Sequence, residues 1–347
     1  MKYFLPVCIV TVLLSLGSKA QTVIPFDVPG GVDTQAIAIS DLGQVTGDYQ
    51  IPNTTKVRGF LRNPTGSIVT FDVAGMNTYP AAINIWGQIT GLYATNAAGT
   101  PPFHSFLRQP NGDIITFDAP DAWDTEATAI NAKGEIVGWM QSNLSASNPN
   151  TFQGFLRHAN GSITTFEVND AFTILPSAID ARGRVIGYWT DPSASRGRGF
   201  LREPDGQIVD IDVPAALTTD TWPYAINPKG QIAGIYTLQC PFPPGSCTTD
   251  SHGFLREPDG QYLNIDVPNM TFTVALGIDA KGQVAGYTYE SANQQMRGFL
   301  REPKGRFRTF EVPNSNWTVP LAMNIAGEVT GVYLDANGGA HGFVLFQ

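Results

Sequence analysis

Seven copies of one short phrase, four strand signals in each copy and complementary chain ends predict an all-β fold: a seven-bladed β-propeller of four-stranded blades. The phrase runs apolar, Asx, two residues, Gly, apolar, one residue, Gly, with Ser40 replacing Asx in the first copy. Its turn glycines (43, 87, 134, 183, 230, 282 and 327) are 44, 47, 49, 47, 52 and 45 residues apart. Units of about 45 residues holding four strands are the sequence mark of a propeller. The 36 glycines and 25 prolines among 347 residues exclude long helices and suit short strands joined by turns.

Each unit reads as strands A to D. In the second unit strand A covers residues 81–84 and strand B residues 88–93. The Asn-x-x-Gly link between them is a hairpin, because Asx bonds nearby backbone and Gly takes the left-handed position. Strand C is Gly-Phe-Leu-Arg, marked by Phe60, Phe106, Phe155, Phe200, Phe254 and Phe299, with a shortened copy at Phe343. Strand D carries an aromatic or Ile and then an acid, as in residues 68–73. A Pro-x-Gly tip joins C to D, and the distance from Arg62 to Phe71 is kept in the five complete copies that follow. The last unit stops after strand C, whereas residues 22–28 form an orphan strand D. Pairing the two would close the ring and leave no long free edge.

Residues 1–20 read as a secretory signal: Lys2, an apolar run from Phe4 to Leu16, and Ser18-Lys19-Ala20 as the cleavage site. The mature chain, residues 21–347, is then a single propeller domain, exported to the periplasm or the extracellular medium, with no membrane insertion after cleavage and expected to be a monomer. Without the two leader lysines it holds 19 basic against 30 acidic side chains. That sign repels phosphate backbones and excludes nucleic acid as a partner. Cys240 and Cys247 fall in an oxidising compartment, with six residues between them, and are read as a local disulfide, with free thiols as the alternative. Two cysteines cannot complete a structural zinc site.

The Asn-x-x-Gly-Gln-Val-x-Gly phrase, the His-small-Phe of His104, His252 and His341, and the Gly turn leading to an acidic strand together resemble the extracellular HAF repeat family of bacteria. The resemblance covers residues 22–346. It departs at Arg58, Gln153, Arg198 and Arg297, which stand where the family has His, so the chain reads as a variant branch. The resemblance implies an exported repeat protein and assigns no common activity.

The A–B and C–D turns are tight and uniform; the B–C and D–A connections, on the opposite face, vary. Function concentrates on variable loops over a rigid scaffold. The D–A connections are expected to carry Tyr79, Trp123, Trp222 and Trp317, with Asp124 and Glu126 nearby. These offer apolar platforms and orienting polar groups to a glycan, peptide or protein ligand. Packing between blades is the alternative for each ring. Three acids in Asp121-Ala122-Trp123-Asp124-Thr125-Glu126 offer oxygen ligands to calcium, or an acid and base for glycoside chemistry, although the spacing is not that of an EF-hand loop. Asp48 breaks the repeat where other B strands have an apolar residue, and is expected to be exposed. The histidines, sharing one repeat position with Arg and Gln, read as hydrogen-bond donors. No nucleophile elbow, phosphate loop or His-Glu-x-x-His occurs, so no catalytic residue is assigned. The leading reading is a secreted binding module; an extracellular polysaccharide-acting enzyme and a structural surface or matrix protein are the alternatives.

Overall fold

The computed structural model describes residues 22–96, 98–142, 152–168, 171–190, 196–214, 218–238 and 251–346. The expected signal segment and both cysteines lie outside these residues. The chain is a β-propeller, and the described residues contain strands and turns but no helix. Five sheets have four strands each, in the order A-B-C-D. A sixth has eight, made of two such sets joined by one parallel bridge between Met296 and Trp317. Strand Thr22–Phe26 pairs antiparallel with the last strand, Ala340–Phe346, from Thr22 opposite Phe346 to Phe26 opposite Gly342. The first strand A, Val32–Ile39, packs against the three strands of the last unit.

Strand A is longer than its sequence signal. In the second unit it spans Asn77–Ile83 and in the third Ala122–Ile130. The cause is a bulge. Every strand A slips register by one residue at the same place, between Pro80 and Ala82 in the second unit and Ala127 and Ala129 in the third. A bulge breaks the period-2 alternation, and a proline beside it reads as a breaker, although proline is tolerated at bulges. The bulge also explains the second glycine of the phrase. A Cβ on Gly138 would lie 2.0 Å from the carbonyl oxygen of Glu126, and one on Gly47 1.8 Å from that of Gln35. Any side chain there would push the bulged backbone away.

Hydrophobic burial is concentrated between units. The strand C phenylalanines are the largest fully buried side chains, each worth about 1.5–3 kcal/mol in transfer from water. Phe60, Phe106, Phe155 and Phe200 meet the strand D rings Phe26, Phe71, Phe117 and Phe166 of the preceding unit edge to face, at 5.9–6.3 Å. The arginine two residues later lies over the same ring: Arg62 over Phe26 and Arg108 over Phe71, both at 4.9 Å. In the fifth and sixth units the preceding strand D has Ile211 or Ile265 instead. There the ring reappears at the start of the unit's own strand D, as Tyr262 under Arg256 and Phe307 under Arg301. The ring changes strand while its partners stay.

The recurring polar residues tie strands and units together. His104, His252 and His341 place Nδ1 2.9–3.0 Å from the carboxylates of Asp118, Asp266 and Asp27. They are hydrogen-bonded to the strand D acid, and Arg58 pairs with Asp72 in the same way. The His341–Asp27 contact joins the two ends of the chain. On the tight-turn face, Asn84 Oδ1 accepts from the N–H groups of Trp86 and Gln88, while its Nδ2 donates to the Asn131 carbonyl of the next unit. Asn324 donates likewise to Ser40 at 3.0 Å. The second contact needs an amide, which is why Asn outnumbers Asp at this position.

Candidate functional site

The inner strands surround one central channel, since the bulged residues Ile37, Ala81, Thr128, Ser177, Tyr224, Leu276 and Leu321 line a common cavity. Strand A runs from the variable face to the tight turns. Residues before the bulge therefore stand toward the variable face. Tyr79, Glu126 and Trp222 share one such repeat position: each is the residue before Pro80, Ala127 or Pro223, paired with Leu92, Trp139 or Ile235 of strand B. All three are half-buried. Contrary to the sequence expectation, they belong to strand A and not to the D–A loops, for the reason the bulge supplies.

Two repeat positions earlier in the same strands, the side chain clips the unit to its predecessor. Asp124 accepts from the Phe103 N–H at 3.2 Å, Asn77 from Val57 at 3.0 Å and Asp220 from Gly197 at 2.6 Å. Asp33 reaches the Ala340 N–H at 3.4 Å in the last unit. Trp317 occupies the same position, and its indole N–H donates to the Gln294 carbonyl at 3.3 Å. Asp124 is 2% exposed. Its carboxyl is raised above the ordinary range by burial, against the opposing hydrogen bond from Phe103. Asp124 and Trp317 thus have structural duties, although Trp317 is as exposed as Trp123, one residue before Asp124, at 38% each. The acid run does not converge: Asp121 sits in the turn with positive φ, and among the described residues no three His, Cys, Asp or Glu side chains could hold one ion.

Glu126 and Asp48 differ from these clips. Burial, and secondarily the charge of Asp124, pushes Glu126 up to about 7. Burial alone pushes Asp48 up to about 7. Asp48 is half-buried on strand B, not exposed as expected, because its position faces the neighbouring unit where other copies place an apolar side chain. Its charge also raises the nearby Tyr79 phenol, on top of burial. Among the described residues neither carboxyl has a hydrogen bond or an ion pair from the protein. Their oxygens are not fully enclosed. They are desolvated, uncompensated and still reachable.

Aromatic groups stand at the same level. Tyr188 and Trp222 lie 5.9 Å apart across a unit boundary, and Tyr79 meets Phe103 edge to face at 6.3 Å. Burial raises Tyr188 and Tyr287, and it raises Tyr224 to about 12 with help from those two neighbours. None of these three hydroxyls has a protein partner among the described residues. Sequence reasoning missed them. Tyr224 was nevertheless legible as the one aromatic at the bulge position.

No protein-family model matches the chain, and no curated protein matches it in sequence. Solved structures do resemble it. Virginiamycin B lyase from Staphylococcus aureus aligns over 94% of this chain and 100% of its own, with 13% identity and a TM-score of 0.56. The propeller domain of the Trilobed protease from Pyrococcus furiosus aligns over 90% and 94%, with 10% identity and a TM-score of 0.59. Acylaminoacyl peptidase from Pyrococcus horikoshii aligns over 91% of this chain but 51% of its own, with 10% identity and a TM-score of 0.61. Likeness at this level of identity establishes the propeller fold alone. No helix among the described residues is long and apolar enough to cross a membrane.

Proposed function

We propose that the protein is an exported, HAF-repeat-like binding module, a seven-bladed propeller closed by its N-terminal strand. Its ligand enters the channel mouth on the face of the B–C and D–A connections. The pairing of Thr22–Phe26 with the last strand supports closure, as do the Asp33 and Asn324 bonds between the last unit and the first. One observation carries the site: burial pushes the carboxyls of Glu126 and Asp48 up to about 7, and neither has a partner among the described residues. Such groups are costly to the fold, and a ligand that brings hydrogen-bond donors or positive charge offsets that cost. Sugar hydroxyls and the basic groups of a peptide both do so, and Tyr79, Trp222 and the exposed Trp123 supply the apolar platform. The buried, hydrogen-bonded Asp124 is not free to act with Glu126 as a glycosidase pair, which favours binding over hydrolysis.

The test is a glycan array and a basic-peptide panel, followed by calorimetry on the best binder. Trp222→Ala should cost about 1 kcal/mol or more, a roughly fivefold or greater loss. Glu126→Gln should weaken a cationic ligand most. Turn variants at Asp205 or Asp259 should bind normally. The opposite pattern, turn variants losing binding while Trp222→Ala keeps it, would place the site on the other face.

A further inference from the structure

The tight-turn face carries a second set of features. Ile85, Ala132, Ala181, Pro228 and Ile325 line its mouth, and the open channel behind them has a volume of about 500 Å³, within the ~300–1,000 Å³ range of small-molecule sites. The channel wall is mostly hydrocarbon, with Ile37, Leu276 and Leu321 interleaved by alanines. Two of its three side-chain hydroxyls are already engaged, Thr128 donating to the Pro176 carbonyl and Ser177 to that of Pro223, both at 2.7 Å, and the third, on Tyr224, has no partner among the described residues. Asp41, the acid nearest the mouth of the first unit, accepts from the Ile325 N–H at 3.2 Å. A wall of this kind holds water poorly and accepts an apolar guest.

The next turn position divides the rim in two. Leu42, Trp86 and Ala326, from the first, second and seventh units, are exposed and uncharged. Lys133, Arg182, Lys229 and Lys281, from the four consecutive units between them, are exposed and basic. In a chain of net charge −9 this arc reverses the prevailing sign. Of the acids beneath it, Asp180 is held by Arg184 at 2.6 Å and Asp279 by the N–H groups of Lys281, Gly282 and Gln283, while Glu135 lies 4.0 Å from Lys133; Lys133 and Lys229 also donate to the Arg182 and Lys281 carbonyls, at 3.4 and 3.0 Å.

We infer that this face binds a single-chain anionic amphiphile, a fatty-acid-like molecule with its tail in the channel and its carboxylate on the basic arc. Calorimetry with dodecanoate, below its micelle concentration, tests it on the full chain. The controls are dodecyltrimethylammonium, which has the same tail and the opposite charge, and an acidic peptide. One dodecanoate should bind per chain, at least tenfold more tightly than the cationic detergent. The triple variant Lys133→Glu, Lys229→Glu, Lys281→Glu should lose at least tenfold in affinity at an unchanged melting temperature. Leu276→Trp should block the tail, and Trp222→Ala should have no effect. If Leu276→Trp does not fold, the triple variant, whose sites are all on the surface, decides alone. No binding, equal binding of the cationic detergent, binding of the acidic peptide in place of dodecanoate, or an unaffected triple variant would each overturn the proposal.

Discussion

Asp48→Asn isolates the energetic cost of the candidate site. In the unfolded chain an aspartate loses its proton near pH ~3.9, whereas in the fold Asp48 holds its proton up to about 7. Between those values the folded state binds more protons than the unfolded one. Stability therefore falls as pH rises through this window and levels off above it. At about 1.4 kcal/mol per pH unit, the ionised carboxylate costs the fold about 4 kcal/mol. Its oxygens are not fully enclosed, and water reaching them screens this to about 2 kcal/mol. Asparagine matches the protonated acid in shape and never ionises. Urea unfolding at pH 3.5, below the unfolded value, should find wild type and variant nearly alike, and at pH 8.5 the variant should be more stable by about 2 kcal/mol. Glu126 titrates in both proteins and cancels from the difference. A difference that does not change with pH would refute the claim that Asp48 is a desolvated, uncompensated acid.

Two further predictions concern the scaffold. Tyr262→Ile should remove the ring beneath Arg256 and cost about 1–2 kcal/mol by thermal unfolding. Adding Ile211→Phe, which restores the arrangement of the first four units, should recover at least half, and strictly additive effects would contradict the exchange of rings. Gly138→Ala must move the Glu126 carbonyl, 2.0 Å from the new Cβ, so it should destabilise by about 3 kcal/mol or more and disturb ligand binding at Glu126. A neutral variant would mean that the bulge is not rigid.

The fold was readable because every unit repeats the residues that build it. Turn glycines and paired strand D acids recur for reasons within one unit, and the strand C phenylalanines recur because each packs on the unit before it. The first half of strand A was hidden, since a bulge at Ala81 or Thr128 destroys the alternation by which a strand is recognised. Tyr79, Trp222 and Glu126 were therefore found as candidates but assigned to loops. Asp124 looked functional beside Glu126, yet two residues of offset separate an inter-unit clip from a free carboxyl. Asp48 stood out by breaking the repeat, but its burial depends on the neighbouring unit, which local sequence does not describe. The tyrosine cluster brings Tyr188, Tyr224 and Tyr287 together from three consecutive units, a proximity created by the stacking of units and not by the pattern within any one of them.

Both proposed sites surround one channel, and that channel requires the first and last units to be neighbours. Hydrogen exchange at the amides of Thr22–Phe26 measures this most directly. In a ring closed by the register observed here, with Ile24 opposite Val344, the ladder amides of this strand exchange as slowly as those of Ala340–Phe346 and respond to denaturant with the same global slope. Exchange at the rate of a frayed terminus, while the last strand stays protected, would contradict a closed ring and with it the shared channel.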